Sequence, residues 1–286
     1  MSQKYGAHLA RFTHHASSIL YASTKHDDNI RYLSTHDNSY IRYFKGHQGR
    51  VTTISLSPSD DAFLSASLDN TVKLWSVRSS SPTGTLKIHQ PLLAIYDPSA
   101  TVIAIASSSA QTVLLYDVRN FDKPPFSNFD LQPIDLRFQS VGGHGLREWT
   151  KLEFSNDGKS LLVATAGGGH YVLDAFEGTL KHFCVRRSHS GRLPPSQVPS
   201  ASQHGVSGQG DACFSPDGHY LIGGSGEEGL LVWDIRTDPA PDNILRPLCE
   251  LPGVGKSALV GFNQRFNMMI SADRDLLFWL PDPELG

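Results

Sequence analysis

Apolar and polar positions alternate along this chain in short bursts, and the bursts recur. The clearest unit is GHQGRVTTISLSPSDDAFLSASLDNTVKLWSVR, Gly46 to Arg78. It reads as an apolar stretch, a polar turn, a second apolar stretch, another turn and a third stretch ending in Trp75. Short apolar runs bounded by turn residues are the mark of β-strands. Six units align on a bulky residue closing the third stretch: Leu33, Trp75, Tyr116, Leu173, Trp233 and Trp279. First strands are predicted at His8–Thr13, Val51–Leu56, Leu92–Tyr96, Leu152–Phe154, Ala212–Phe214 and Leu259–Phe262. Second strands are predicted at Ile19–Ser23, Ala62–Ala66, Val102–Ala106, Leu161–Thr165, Tyr220–Gly224 and Met268–Ala272. Turn chemistry separates them, as in Asn156-Asp157-Gly158 and Pro216-Asp217-Gly218. No segment of about ten residues shows a helical period.

The anchors are spaced by 42, 41, 57, 60 and 46 residues. Spacings of about 40–45 residues with four strands per unit predict an all-β β-propeller rather than a sandwich. The chain therefore reads as a single domain, 1–286, with six blades visible. The two long spacings imply insertions, one around Asp122–Arg147 and the other Arg186–Gly210. The second is poor in apolar residues and rich in Ser, Gly and Pro, a composition expected to stay disordered or to order on a partner. The chain stops on a third strand, Leu276–Leu280, and only Met1–Gly6 precedes the first. An open ring would expose strand edges, so a seventh blade is expected upstream.

The units resemble WD repeats across nearly the whole chain. In that family a His before the first strand, a Ser or Thr on the second, an Asp in the next turn and the Trp form a buried hydrogen-bonded set. His47, Ser65 or Ser67, Asp69 and Trp75 fit it here. Asp27 and Asp273 stand at the Asp offset in their own units, whereas Ala110, Gly167 and Glu227 replace it elsewhere. Those blades are expected to rely more on packing.

Composition narrows the chemistry. A net charge of −3 gives no general attraction to nucleic acid or anionic membrane. Three scattered cysteines, Cys184, Cys213 and Cys249, read as reduced thiols. Gly224-Ser225-Gly226-Glu227-Glu228-Gly229 matches GxGxxG, but a strand follows where a dinucleotide site needs a helix. The thirteen histidines show no HxxxH or HExxH spacing, and no GxSxG elbow marks a nucleophile. No catalytic residue, metal site or cofactor is expected. Arg78, Arg119 and Arg236 follow their anchors in a pattern resembling the WDxR box of cullin-ligase substrate receptors. That makes such a receptor the alternative function, with plain solvated arginines the simpler reading.

Further stretches resemble one family more closely. They are Asp28-Asn29-Ile30-Arg31-Tyr32-Leu33-Ser34, Tyr40-Ile41-Arg42-Tyr43-Phe44, Leu115-Tyr116-Asp117-Val118-Arg119-Asn120-Phe121-Asp122-Lys123, Glu148-Trp149-Thr150 and Phe278-Trp279-Leu280-Pro281. Together they are similar to the WD repeat-containing protein 82 family, the fungal WD subunit of COMPASS. The resemblance implies a nuclear, non-enzymatic scaffold in histone H3 lysine-4 methylation. Its implied partners are the methyltransferase catalytic subunit and other COMPASS subunits, cleavage and polyadenylation factor subunits, and the phosphorylated tail of RNA polymerase II. Direct nucleic-acid or membrane contact is not expected. Family members begin one blade earlier. Candidate partner contacts are Tyr40, Arg42, Tyr43, Arg78, Arg119, Phe121, Phe126, Trp149 and Arg236, with core or rim packing the simpler reading of Tyr40, Arg42, Tyr43, Phe121, Phe126 and Trp149.

Overall fold

The computed structural model describes residues 5–142, 148–186, 210–225, 229–253, 259–263 and 265–281. The chain divides into two compact units, Met1–Gln132 and Pro133–Gly286. Among the described residues, six sheets follow one another along the chain, three to a unit, antiparallel but for one strand pair. They are blades of a β-propeller.

Blade one holds β1 (His8–Phe12), β2 (Ser18–Ala22), β3 (Ile30–Ser34) and β4 (Tyr40–Phe44). Blade two holds β5 (Val51–Leu56), β6 (Ala62–Ser67), β7 (Thr71–Ser76) and β8 (Gly84–Lys87). Blade three holds β9 (Leu93–Tyr96), β10 (Val102–Ser107), β11 (Thr112–Asp117) and β12 (Ser127–Asp130). Blade four holds β13 (Trp149–Phe154), β14 (Ser160–Thr165), β15 (Gly169–Asp174) and β16 (Leu180–Val185). Between the strands assigned to blade five, β17 (Ala212–Phe214), β18 (Tyr220–Gly224), β19 (Leu230–Asp234) and β21 (Cys249–Leu251), lies β20 (Ile244–Leu245). Blade six shows β22 (Leu259–Phe262), β23 (Met269–Ala272) and β24 (Leu276–Trp279).

Each anchor sits on a third strand and pairs with the second: Leu33 with Ile19, Trp75 with Phe63, Tyr116 with Ile103. In the other unit Leu173 pairs with Leu161, Trp233 with Leu221 and Trp279 with Met269. One register thus repeats six times. The expected Asp-Gly turns also form: Gly158 and Gly218 sit at φ +70° and +69°, where a side chain would be strained. Their N–H groups donate to the Ser155 and Ser215 carbonyls at 2.8 and 2.9 Å.

The core lies between adjacent sheets. Leu20, Ile30 and Phe44 of blade one pack on Ile54, Phe63 and Trp75 of blade two. From the opposite face of blade two, Leu64, Ala66 and Val72 pack on Ala94, Ile103 and Ile105 of blade three. Blades four and five share a cluster, as do five and six. The second strands of blades two and five are therefore covered on both faces, which is why Ala62–Ser67 reads as a near-continuous apolar run.

Two elements depart from the sequence-based expectation. The first insertion contains a helix, α1 (Gln132–Gly142). It buries Asp135 and Phe138 and leaves Leu136, Arg137 and Val141 exposed. One of its inward positions is thus a carboxylate, which removes the continuous apolar stripe a periodicity search needs. Tyr171 donates its hydroxyl to Asp135, and Phe138 stacks on Phe183 at 4.3 Å between centroids. The local signal is polar: Asp130 accepts the Gln132 N–H at 2.9 Å, and Pro133 stands in the first turn, where no N–H is needed.

The second is β20, a two-residue strand that pairs in parallel with β16 and makes blade four five-stranded. Chain leaving blade five crosses to blade four and returns as β21. Residues 187–209, most of the second insertion, lie outside the described residues, as do 143–147 of the first and 226–228 of the GxGxxG stretch. The strand expected after that stretch is β19, and just before it the Ser225 N–H donates to the Gly229 carbonyl at 3.2 Å.

Candidate functional site

Blade two brings His47, Ser65, Asp69 and Trp75 together. Trp75 Nε1–H donates to Ser65 Oγ at 2.9 Å, and Ser65 lies 2.7 Å from His47 Nε2. His47 Nδ1 is 2.9 Å from Asp69 Oδ2, and Thr71 Oγ1 donates to Asp69 Oδ1 at 2.6 Å. Trp75 can only donate, so Ser65 accepts from the indole and donates its hydroxyl to Nε2; that leaves Nδ1–H to donate to the carboxylate. Burial lowers the His47 pKa, and Asp69 opposes this only in part, so the ring is neutral. For Asp69 burial works upward, but hydrogen bonds from Thr71, the Gln48 N–H and His47 prevail and bring the carboxyl to about 2. Ser67, the other candidate on the second strand, is engaged elsewhere: it donates to the Gly49 carbonyl at 2.8 Å. Every member of this chain has its partner, so it fixes the β5–β7 loops rather than offering reactive groups.

The surface candidates are dispersed over several blades. Tyr40 and Tyr43 on β4 lie 5.4 Å apart with their rings tilted by 31°, Tyr43 exposed and Tyr40 half-buried, while Arg42 donates to the Val77 carbonyl of blade two. Arg78 pairs with Asp61 at 3.2 Å, and both line a cavity of about 680 Å³ with His14, Asp60 and Trp75. Arg236 pairs with its own Asp234 at 2.7 Å and reaches the Tyr220 hydroxyl at 3.1 Å. Arg119 and Phe126 are exposed, and half-buried Phe121 packs against the core between blades two and three. Trp149 is corrected: it is 3 % exposed on β13, and its indole belongs to the core, not to a contact surface.

Residues 38–76, which span the hydrogen-bonded set, match the family model described as WD domain, G-beta repeat. The match extends well past one repeat. The chain is 34 % identical to the Set1 complex component swd2 of Schizosaccharomyces pombe, over 97 % of this chain and 82 % of that protein. It is 36 % identical to WD repeat-containing protein 82 of Drosophila melanogaster, over 100 % and 80 %. It is 32 % identical to the COMPASS component SWD2 of Saccharomyces cerevisiae, over 98 % and 80 %. The chain belongs to the Swd2/WD repeat-containing protein 82 family.

In this Swd2-family chain the other blades keep parts of the hydrogen-bonded set or replace it. Blade six keeps the indole half: Trp279 Nε1–H donates to Ser271 Oγ at 2.9 Å. Blade one keeps the Asp and changes its partner. Asp27 accepts a two-pronged pair from Arg31 at 2.9 and 2.7 Å, and the guanidinium lies 3.8 Å over the Tyr5 ring. Arg31 is buried, so this ion pair needs its two parallel hydrogen bonds to offset desolvation. Sequence reasoning had no handle on it, because an Asp four residues before an Arg is common on any surface.

Blades four and five do not fall back on packing alone, as the missing Asp residues suggested. Trp233 Nε1–H donates across to the Val185 carbonyl at 3.2 Å, and His182 Nε2 lies 3.2 Å from the Ile235 carbonyl. Arg186 donates to the Gly224 and Gly167 carbonyls at 2.9 and 3.0 Å. Lys151 Nζ reaches Glu153, the Ala212 carbonyl and Asp211 at 2.8, 3.0 and 3.5 Å. The polar set within one blade has been exchanged for bonds between two.

Proposed function

We propose that this chain is a non-catalytic WD-repeat scaffold subunit of a COMPASS-type histone H3 lysine-4 methyltransferase complex in the nucleus. The observation that carries the reading is similarity over nearly the whole chain to proteins named as Set1 complex and COMPASS components. The chemistry agrees with it. The titratable groups His47 and Asp69 are spent on each other and on Ser65 and Thr71. Surface residues such as Tyr43, Arg119 and Phe126 are left for contacts.

The proposed partners are the methyltransferase catalytic subunit and its companions, with cleavage and polyadenylation factor subunits and the phosphorylated RNA polymerase II tail as further ones. The cullin-receptor alternative draws less support, since Arg236 and Arg78 are already paired within their own blades. Mass spectrometry of proteins co-purifying with the tagged protein from nuclear extract tests this. Methyltransferase subunits are expected, with or without cleavage factors. Recovery of a cullin adaptor alone would overturn the scaffold assignment.

A further inference from the structure

Blades five and six leave an apolar groove of about 650 Å³ between them, a volume that takes a few side chains rather than a folded surface. Half-buried Val232 and Leu251 of blade five and Phe262 of blade six form its floor, continuous with buried Ile222 and Met269. At the mouth stand Leu248 and Phe266, 64 % and 66 % exposed. Large apolar side chains gathered round an apolar groove mark an interaction site, whereas the same residues scattered singly would not.

Its charged residues differ in how they are held. Asp217 on the rim is engaged by Ser215 and by His219 at 3.1 Å. Arg236, over the Tyr220 ring at the groove's end, is held by Asp234. Arg265 is exposed, lines the groove and makes no ion pair among the described residues. Arg265 is therefore the lining charge left without a partner among the described residues. The groove also runs beside β21, the outermost strand of its sheet among the described residues. An extended segment laid there presents every second side chain to the floor.

We propose that this groove docks an extended peptide segment of a partner protein, with aliphatic or aromatic residues at alternate positions and an acidic residue beside them that meets Arg265. The site does not depend on which nuclear complex the chain serves, so co-purification failing to return methyltransferase subunits would leave it standing.

The test is selection of a phage-displayed random 16-residue peptide library against the full chain, followed by fluorescence polarisation of the enriched peptides. Alternating apolar residues flanked by Asp or Glu are expected. Arg265→Glu should weaken their binding about three- to ten-fold, as for an exposed charge pair reversed. Exchanging the peptide's acidic residue for Lys should restore affinity to the Arg265→Glu protein. Leu248→Ser and Phe266→Ser alter exposed side chains, so the fold should survive while peptide binding falls at least five-fold. Enriched peptides without acidic residues, or unaffected by these variants, would overturn the proposal. So would self-association of the chain that Phe266→Ser abolishes, or a groove that takes only a small apolar dye.

Discussion

Ser65 is the hinge of the blade-two hydrogen-bonded chain, and Ser65→Ala is its sharpest test. The side chain is fully buried and serves two partners at once, accepting from Trp75 at 2.9 Å and contacting His47 Nε2 at 2.7 Å. Alanine fills nearly the same volume, so no cavity term enters. What remains is an indole N–H and an imidazole nitrogen left without partners in a buried site. Each such orphan costs about 1–3 kcal/mol; with some relaxation of the His47 ring, we expect a total of about 2–4 kcal/mol. At about 2–4 °C per kcal/mol for a chain of this class, the melting temperature should fall by roughly 5–15 °C.

The measurement is urea unfolding followed by tryptophan fluorescence, with hydrogen exchange of the β6 and β7 amides to show where protection is lost. Ser271→Ala is the internal control. Among the described residues Ser271 supports an indole alone, and Trp279 is only half-buried, so the loss there should be under half as large. A double variant, Ser65→Ala with His47→Phe, should cost less than the sum of its parts, because the second change removes the orphan the first creates. A Ser65→Ala loss below about 0.5 kcal/mol, or one equal to that of Ser271→Ala, would refute the view that the connected chain matters more than its separate bonds.

Four more outcomes follow from the geometry. The pKa values of His170, His47 and His182 are lowered, first by burial in each case, so the unfolded chain binds protons the folded one refuses. Stability should be full above about pH 6.5 and fall as pH drops below it, before the second loss that begins near pH 3.8 as Asp69 is protonated toward its value of about 2; a flat stability curve between pH 7 and 5.5 would contradict this. Phe138→Ala removes the ring stacked on Phe183 and should cost about 3–4 kcal/mol, with hydrogen exchange accelerating across α1 before the blades. Asn243→Ala should cost about 1–3 kcal/mol, because it loses bonds to the Leu180 and Lys181 carbonyls at a backbone φ of +57° that alanine resists. Arg78→Ala should leave melting unchanged within about 0.5 kcal/mol, since its ion pair with Asp61 is exposed on both sides.

The sequence carried most of the blade pattern because each strand's character is local. Val51–Leu56 and Tyr220–Gly224 were readable to the residue, and Ser18–Ala22 and Met269–Ala272 within one, since turn residues bracket them. The hydrogen-bonded set was readable because its four residue types recur at family offsets. α1 was not readable, because Asp135 interrupts its buried face and finds its partner, Tyr171, 36 residues away. β20 was not readable either. Two residues in a Pro-rich stretch carry no period, and their strand character comes wholly from β16, some 60 residues earlier. For Trp149 a core place and a contact place were both open, because an aromatic beside an insertion gives no sign of which way its ring turns; it takes the core place.

The unread elements share a purpose. Blades four and five lack the Asp of the hydrogen-bonded set, at Gly167 in blade four, so their loops need anchoring from outside. α1 supplies a carboxylate to Tyr171 and an arginine, Arg137, to Asn243 at 3.1 Å. Asn243 in turn holds the Leu180 and Lys181 carbonyls and gives its own carbonyl to the Phe183 N–H at 2.7 Å. β20, Asn243 and α1 therefore act on one strand, β16, which also receives the Trp233 indole through Val185. A blade that has lost its internal bond network can be fixed by its neighbours only if their contacts converge, and here they converge on six residues. On that reasoning Asn243→Ala and Phe138→Ala should prove non-additive, by at least about 0.5 kcal/mol, though the two side chains lie on different elements. Strictly additive losses would mean that β16 is held by β14 and β15 alone.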